Sequence, residues 1–287
     1  MSFAWEDRDG TGSRSRTLPD MTTDPFAALA ARPGGALALL IAAEGGFPRR
    51  PGAAMALWPD GGRVGRLGAG CIDADIAGHV GAARAVTHLT YGLGGPIDLP
   101  LPCGGTVHIA LIQRPDPVWL AAIGADSAAR RTGRWRIDLV TGAASRDAAT
   151  GFALVLPPPP AVILHGEGDE AEALASMVAA LDLPCHRGEK APPPDAQSAV
   201  VTLFHDHDRE LPPLRAALAS PAFYIGALGS RRAQLARQAA LRETGIDEAA
   251  LVRLRGPIGV VSPVREPRLL AASVLTEILA AYDAQFG

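Results

Sequence analysis

The chain has 287 residues, of which 48% are hydrophobic and 20% charged, and its formal net charge is -3. That length accommodates two domains with their own cores, the composition is that of a globular rather than a disordered protein, and the charge argues against a nucleic-acid or other polyanion binder. No apolar run approaches the roughly 20 residues of a membrane span, and three cysteines (Cys71, Cys103 and Cys185) are not a disulfide framework, so a cytoplasmic protein is the expectation.

Residues 1–33 are expected to form a disordered extension, with Met21 as an alternative start ahead of a helix-like DPFAALAAR. Ala36–Ala43 and Ala53–Trp58 read as strands flanking the loop EGGFPRRPG, and Arg63–Leu67 as a third after the turn Asp60-Gly61-Gly62. The alanine-rich spacing over Ile72–Val86 predicts a helix, and Val107–Gln113 predicts a strand. Val118–Ile123 and Trp135–Val140 are short elements of either type. Four prolines, Pro157–Pro160, mark a stiff linker, and Pro192–Pro194 a second break. Beyond the linker come strand Ala161–Leu164, a glycine turn into a helix, strand Ala199–Phe204, helix Leu211–Ala219 and strand Ala222–Leu228. A helical run Ala233–Arg242, strand Ile258–Val261 and helix Arg268–Tyr282 complete the chain. This alternation predicts an α/β protein: an N-terminal mixed α/β domain over 34–156 and a Rossmann-like, doubly wound parallel-sheet domain over 157–287.

Four stretches carry candidate chemistry. In FYIGALGSRR a buried strand breaks at Gly229-Ser230 into Arg231-Arg232 and a helix; backbone N–H groups, a hydroxyl and two guanidiniums at one turn suit a phosphate. Arg49-Arg50 in the proline-stiffened loop Glu44–Gly52 could be preorganised for an anion, or be solvated in an ordinary hairpin. Cys71 stands at a glycine turn into a helix, and Cys103 precedes Gly104-Gly105 and a strand. Turn N–H groups favour a thiolate, which attacks sulfur or ligates a soft metal; either cysteine alone also reads as structural. Gly166-Glu167-Gly168-Asp169-Glu170-Ala171 fits the dinucleotide pattern G-x-G-x-x-G/A, but three carboxylates stand where a pyrophosphate would dock, which argues against NAD(P). His205-Asp206-His207-Asp208 lies at a strand's carboxyl end and reads as a solvated loop or, less directly, as a metal site for a hydrolase.

Taken in order, GGFPRRPGAAMALWPDGGRVGRLGAGCIDADI, LPCGGTVHIAL and FYIGALGSRRAQ…GPIG resemble the xanthine dehydrogenase accessory factor family, the XdhC/CoxI group. The resemblance runs from about Ala36 to Tyr282. It implies a chaperone that binds the molybdenum cofactor (molybdopterin), supports its sulfuration and delivers it to a molybdenum hydroxylase apo-enzyme, with a cysteine desulfurase as second partner. It further implies Arg49, Arg50, Gly104, Gly105, Gly229, Ser230, Arg231 and Arg232 as cofactor-binding residues. Cys103, ahead of Cys71, becomes the residue facing molybdenum or the transferred sulfur. The ligand is expected between the domains, and alanine-rich helices would suit a homodimer. The chain departs from the family pattern at the acidic GEGDEA turn and at the short CHRGEKAPPPD segment. An NAD(P)-dependent oxidoreductase is the competing reading, although Lys190 is the only lysine and no acid–base pair stands out.

Overall fold

The computed structural model describes residues 24–68, 70–92, 104–204, 206–261 and 263–286. Cys103 and His205 therefore lie outside the described residues. The chain divides into two compact units, one of residues up to 124 with 135–154, the other of 125–134 with 155–287.

In the first unit, α1 (Pro25–Ala31) starts at Asp24, whose carboxylate accepts from the Phe26 N–H, with proline at the first helical position. This helix lies within the stretch expected to be a disordered extension; it is ordered because Phe26 and Leu29 are buried. Strands β1 (Ala36–Glu44), β2 (Ala54–Leu57) and β3 (Arg63–Gly65) follow, then helix α2 (Gly70–Gly78), β4 (Val86–Gly92), β5 (Thr106–Gln113) and α3 (Pro117–Ala128). The five strands form one sheet in the order β3-β2-β1-β5-β4, antiparallel at every pairing. The helix expected to reach Val86 stops at Gly78, and VTHLTYG becomes β4, burying Val86, Leu89 and Tyr91. Helix α2 lays Ile72 and Ile76 on the sheet against Leu40, Met55, Leu89 and Ile109. Strands β6 (Gly133–Ile137), β7 (Ala144–Ser145) and β8 (Phe152–Leu156) make a small sheet in the order β7-β6-β8. Trp119 of α3 meets Phe26 and Trp135 edge-on, with centroids 6.2 and 6.3 Å apart.

The second unit runs β9 (Ala161–Gly166), α4 (Asp169–Ala180), β10 (Cys185–Arg187), a 3-10 turn (Gly188–Lys190), β11 (Ser198–Leu203), α5 (His207–Leu218) and β12 (Tyr224–Ala227). It continues with α6 (Arg231–Glu243), α7 (Glu248–Leu251), β13 (Leu254–Arg255) and α8 (Pro267–Phe286). Its sheet is parallel throughout, in the order β10-β9-β11-β12-β13. The last strand is Leu254–Arg255 rather than Ile258–Val261: Pro257 has no N–H for a ladder, Gly259 sits at φ +101°, and Val260 and Val261 are exposed. The 20-residue α8 has the length and mean hydropathy (1.2) of a membrane span, although no single apolar run shows it in the sequence. Here Leu270, Val274, Leu275 and Ile278 join the core with α4 and the sheet residues Val162, Leu164 and Val201. The opposite face packs Ile163, Val200 and Ile225 against Leu214, Ala217, Leu218 and Leu241 of α5 and α6.

Candidate functional site

Registers put several candidates at one end of the first sheet. Glu44 pairs with Thr106, and Thr106 with Gly92, so the end of β1, the start of β5 and the end of β4 meet. The approach is close enough to demand glycine. A Cβ on Gly105 would stand 2.1 Å from the Glu44 carbonyl oxygen, and one on Gly92 would stand 2.1 Å from that of Gly105. Gly104, at φ +67°, is the exposed residue beyond the junction.

The loop carrying Arg49 and Arg50 leaves β1 at this same end and returns through Gly52, whose N–H donates to the Leu40 carbonyl. The Ala53 N–H donates to the Arg50 carbonyl, which closes the turn and leaves both arginines exposed. Strand β3 pairs with β2 so that it too exits at this end, and α2 begins there. Asp73, buried in α2, accepts from the N–H groups of Leu67 (3.2 Å) and Gly68 (2.9 Å) and so fixes the turn that presents Cys71. Asp75, two residues on, accepts from the Tyr91 hydroxyl (2.8 Å), and Gln113 at the far end of β5 donates to the His79 carbonyl. The helix thus points its N-terminus, and the exposed Cys71, at the sheet end of the arginine loop and Gly104-Gly105. Cys103 precedes Gly104 in the chain. Cys185 is half-buried with its thiol pKa pushed up by burial, as an inert thiol would be.

In the second unit, Gly229, Ser230, Arg231 and Arg232 form the turn from β12 into α6 at the carboxyl end of the sheet. Gly229 has φ +140°, and a Cβ there would stand 3.0 Å from that of Ala233. The Ser230 hydroxyl caps α6 by accepting from the Ala233 N–H (3.2 Å), which leaves its O–H free to donate. The first N–H groups of α6 and the exposed Arg231 and Arg232 side chains crown the turn. Gly226 is required one step earlier, since a Cβ would stand 2.6 Å from the Tyr224 ring.

Two residues that sequence reasoning did not single out hold this turn. Arg237 of α6 and Glu210 of α5 are a fully buried pair, bidentate at 2.8 and 3.0 Å. Arg237 also donates to Gln234 (2.6 Å) and to the Leu228 carbonyl (2.6 Å), while Gln234 donates to the Leu254 carbonyl (3.2 Å). The guanidinium thereby ties α5, α6 and the backbone just before Gly229 together. The one sequence signal was the i, i+3 spacing of Gln234 and Arg237 with Leu241, all buried, while Leu235 is 68% exposed.

Numbered within its own domain, the sheet order is 2-1-3-4-5, with a topological switch point between β9 and β11. The GEGDEA turn lies on one side of it. Gly166 at φ +143° is held by the Leu203 carbonyl, 2.6 Å from where a Cβ would stand. Glu167 is not a free charge: Arg209 of α5 pairs with it at 2.5 Å and lies 4.9 Å from the Phe204 ring centroid. Asp206 caps α5 by accepting from the Asp208 N–H. Among the described residues no group of three His, Cys, Asp or Glu side chains is arranged to hold a metal ion.

Comparison with known proteins agrees with this fold. A profile described as the XdhC Rossmann domain matches residues 162–278, and one described as the XdhC and CoxI family matches residues 28–92. The molybdenum cofactor insertion chaperone PaoD of Escherichia coli K12 is 32% identical over 88% of this chain and 84% of its own length. YqeB of the same organism is 27% identical over 85% of this chain, which spans 43% of that protein. A crystal structure titled as a xanthine dehydrogenase from Bacillus halodurans superposes with a TM-score of 0.69, covering 91% of this chain and 95% of that one at 17% identity, a likeness of fold. With both profiles in chain order, and one relative matched over most of both lengths, the chain belongs to the XdhC/CoxI family.

Proposed function

We propose that this protein is an accessory chaperone that binds the molybdenum cofactor, supports its sulfuration and delivers it to a molybdenum hydroxylase apo-enzyme in the cytoplasm. The observation that carries the reading is the 32% identity, over most of both chains, to a protein named as a molybdenum cofactor insertion chaperone. The cofactor offers a phosphate and a molybdenum centre held by two thiolates, and the two candidate clusters match those groups in kind. Arg231, Arg232, the Ser230 hydroxyl and the N-terminus of α6 suit the phosphate, since charge-assisted hydrogen bonds from guanidinium and backbone donors are the strong ones. Arg49 and Arg50 are a second cationic pair, at the sheet end where Cys71 and Gly104 are exposed. A soft thiolate suits molybdenum and transferable sulfur alike, and Cys103 is the first choice for that role. A cysteine desulfurase is the sulfur donor in this scheme, and a homodimer is its working form. A nicotinamide nucleotide has no part in this scheme: even with Glu167 paired to Arg209, Asp169 and Glu170 stand in the first turn of α4, where its pyrophosphate would dock.

The test is retention of released cofactor by the purified chain through gel filtration, read as co-eluting molybdenum and oxidised-pterin fluorescence. Near-stoichiometric retention is expected for the native chain, with at least a tenfold loss of affinity in Arg231→Ala, since a charge-assisted bond contributes about 1.5–3 kcal/mol. Loss in Cys103→Ala supports its role at molybdenum. No retention by the native chain refutes the cofactor role.

A further inference from the structure

A doubly wound sheet normally returns from its second strand through a helix that covers the neighbouring face. Here β10 is followed only by the 3-10 turn Gly188–Lys190 and the Pro192–Pro194 segment. The space that a helix would fill is a pocket of about 530 Å³, within the range of small-molecule sites. Its floor is Ile163 and Val200, and its wall is Ala216 and Ala217 of α5. Three prolines of the segment, with Pro213 and Pro221, complete the lining.

The side-chain polar inventory of this pocket is small and weighted towards acceptors. Prolines present rigid apolar rings and no N–H. The Ser220 hydroxyl is engaged, donating to the Ala217 carbonyl (2.7 Å) and accepting from the Ala222 N–H (3.2 Å). There remain the carboxylate of Glu189, exposed at the rim and an acceptor only, and the imidazole of His165, half-buried on the strand face of Ile163. Burial, opposed by Glu189, holds the His165 pKa below its ordinary value, which favours the neutral ring, with one nitrogen to accept and one N–H to donate. A ligand for this pocket must be flat and largely apolar, and must turn N–H donors towards an acceptor. The five proline rings are already rigid, so little ordering is needed to receive it.

We propose that this pocket binds a fused heteroaromatic with a 2-amino-4-oxo edge, its two adjacent N–H groups donating to Glu189 and its ring lying between the proline segment and α5. A pterin and a guanine share that edge. The pocket chemistry stands by itself; identifying the pterin with that of the molybdenum cofactor rests on the function proposed above.

The experiment titrates neopterin, guanosine and adenosine separately into the full chain by calorimetry, with Glu189→Gln, Ala216→Leu and Arg231→Ala beside the native protein. Ala216 is an exposed helical position, so leucine fills the pocket without breaking α5. Saturable binding of neopterin or guanosine, weakened at least tenfold in both pocket variants and unchanged in Arg231→Ala, is the expected result. The tighter of the two identifies the source of the heterocycle. No binding of either below about 1 mM, binding indifferent to Glu189→Gln and Ala216→Leu, or equal binding of adenosine overturns the proposal. Retention of the whole cofactor by a chain that binds neither heterocycle would leave the chaperone function standing and this site refuted.

Discussion

Glu210→Ala leaves a guanidinium at full burial without its carboxylate, because Arg237 and Glu210 are both 0% exposed. Breaking such a pair from one side costs about 3–5 kcal/mol, whereas replacing both partners with apolar residues of similar volume is close to neutral. Arg237 also holds the Leu228 carbonyl, so the loss is centred on the turn before Gly229. The described tryptophans Trp58, Trp119 and Trp135 all lie in the first unit, so tryptophan fluorescence is the wrong probe. Hydrogen exchange by mass spectrometry, read on peptides covering β12 and α6, is the right one. Glu210→Ala should raise the opening constant there by roughly two to nearly four powers of ten, the equivalent of 3–5 kcal/mol. The double variant Glu210→Leu/Arg237→Met should recover most of that protection yet retain less cofactor, since nothing then holds the Leu228 carbonyl. A change below about fivefold in Glu210→Ala, near 1 kcal/mol, would refute the reasoning.

Gly105→Ala would set a methyl 2.1 Å from the Glu44 carbonyl oxygen; the junction must open, with an expected cost of about 2 kcal/mol or more by calorimetry of the purified variant. Asp73→Ala removes the acceptor for one buried and one part-buried N–H group and should cost about 1–3 kcal/mol, while changing the alkylation rate of Cys71 measured by peptide mass spectrometry. His165 has its folded pKa lowered, chiefly by burial, so near and below its ordinary value of about 6.5 the unfolded chain takes up a proton first. Stability of the second unit should therefore be complete above that value and fall with pH until the folded pKa is passed. His165→Gln should flatten that part of a melting-temperature profile between pH 7 and 5. Asp195 runs the same way at lower pH: burial raises its carboxyl, but hydrogen bonds from Arg130 and Ser198 outweigh it and lower the pKa. The stabilisation is thus present above about pH 4 and lost as acid protonates it, a loss smaller in Arg130→Ala, where the Ser198 and Gln197 donors remain.

The parallel sheet was legible because β9, β11 and β12 are buried on both faces and so read as short unbroken apolar runs between turns. The β12–α6 turn was legible for the same reason, with Gly229, Ser230 and the two arginines adjacent in sequence. Strand β4 was hidden by the alanines before it, which continue a helical spacing past the real end at Gly78. Arg237 was hidden more deeply. Hydropathy assigns Leu235 to the core and Arg237 to water, and the fold does the opposite, because the guanidinium has four hydrogen bonds waiting inside. Such a partner set is assembled from α5, α6 and the end of β12, so the local spacing of Gln234, Arg237 and Leu241 marks a buried face but does not name the partners. The pairing of Glu167 with Arg209 is equally non-local, and it changes the meaning of an acidic turn that alone looked only repulsive.

The docking of α8 on α4 also sets a timetable. The residues that cover Val162, Leu164 and Val201 come from Leu270, Val274 and Ile278, roughly a hundred positions further along the chain. During synthesis β9, α4 and β11 leave the ribosome with that face of the sheet covered only by α4, and pairing among the strands cannot bury the rest. The second unit must therefore wait for α8 before its core closes, and until then part of that apolar face is open to other chains.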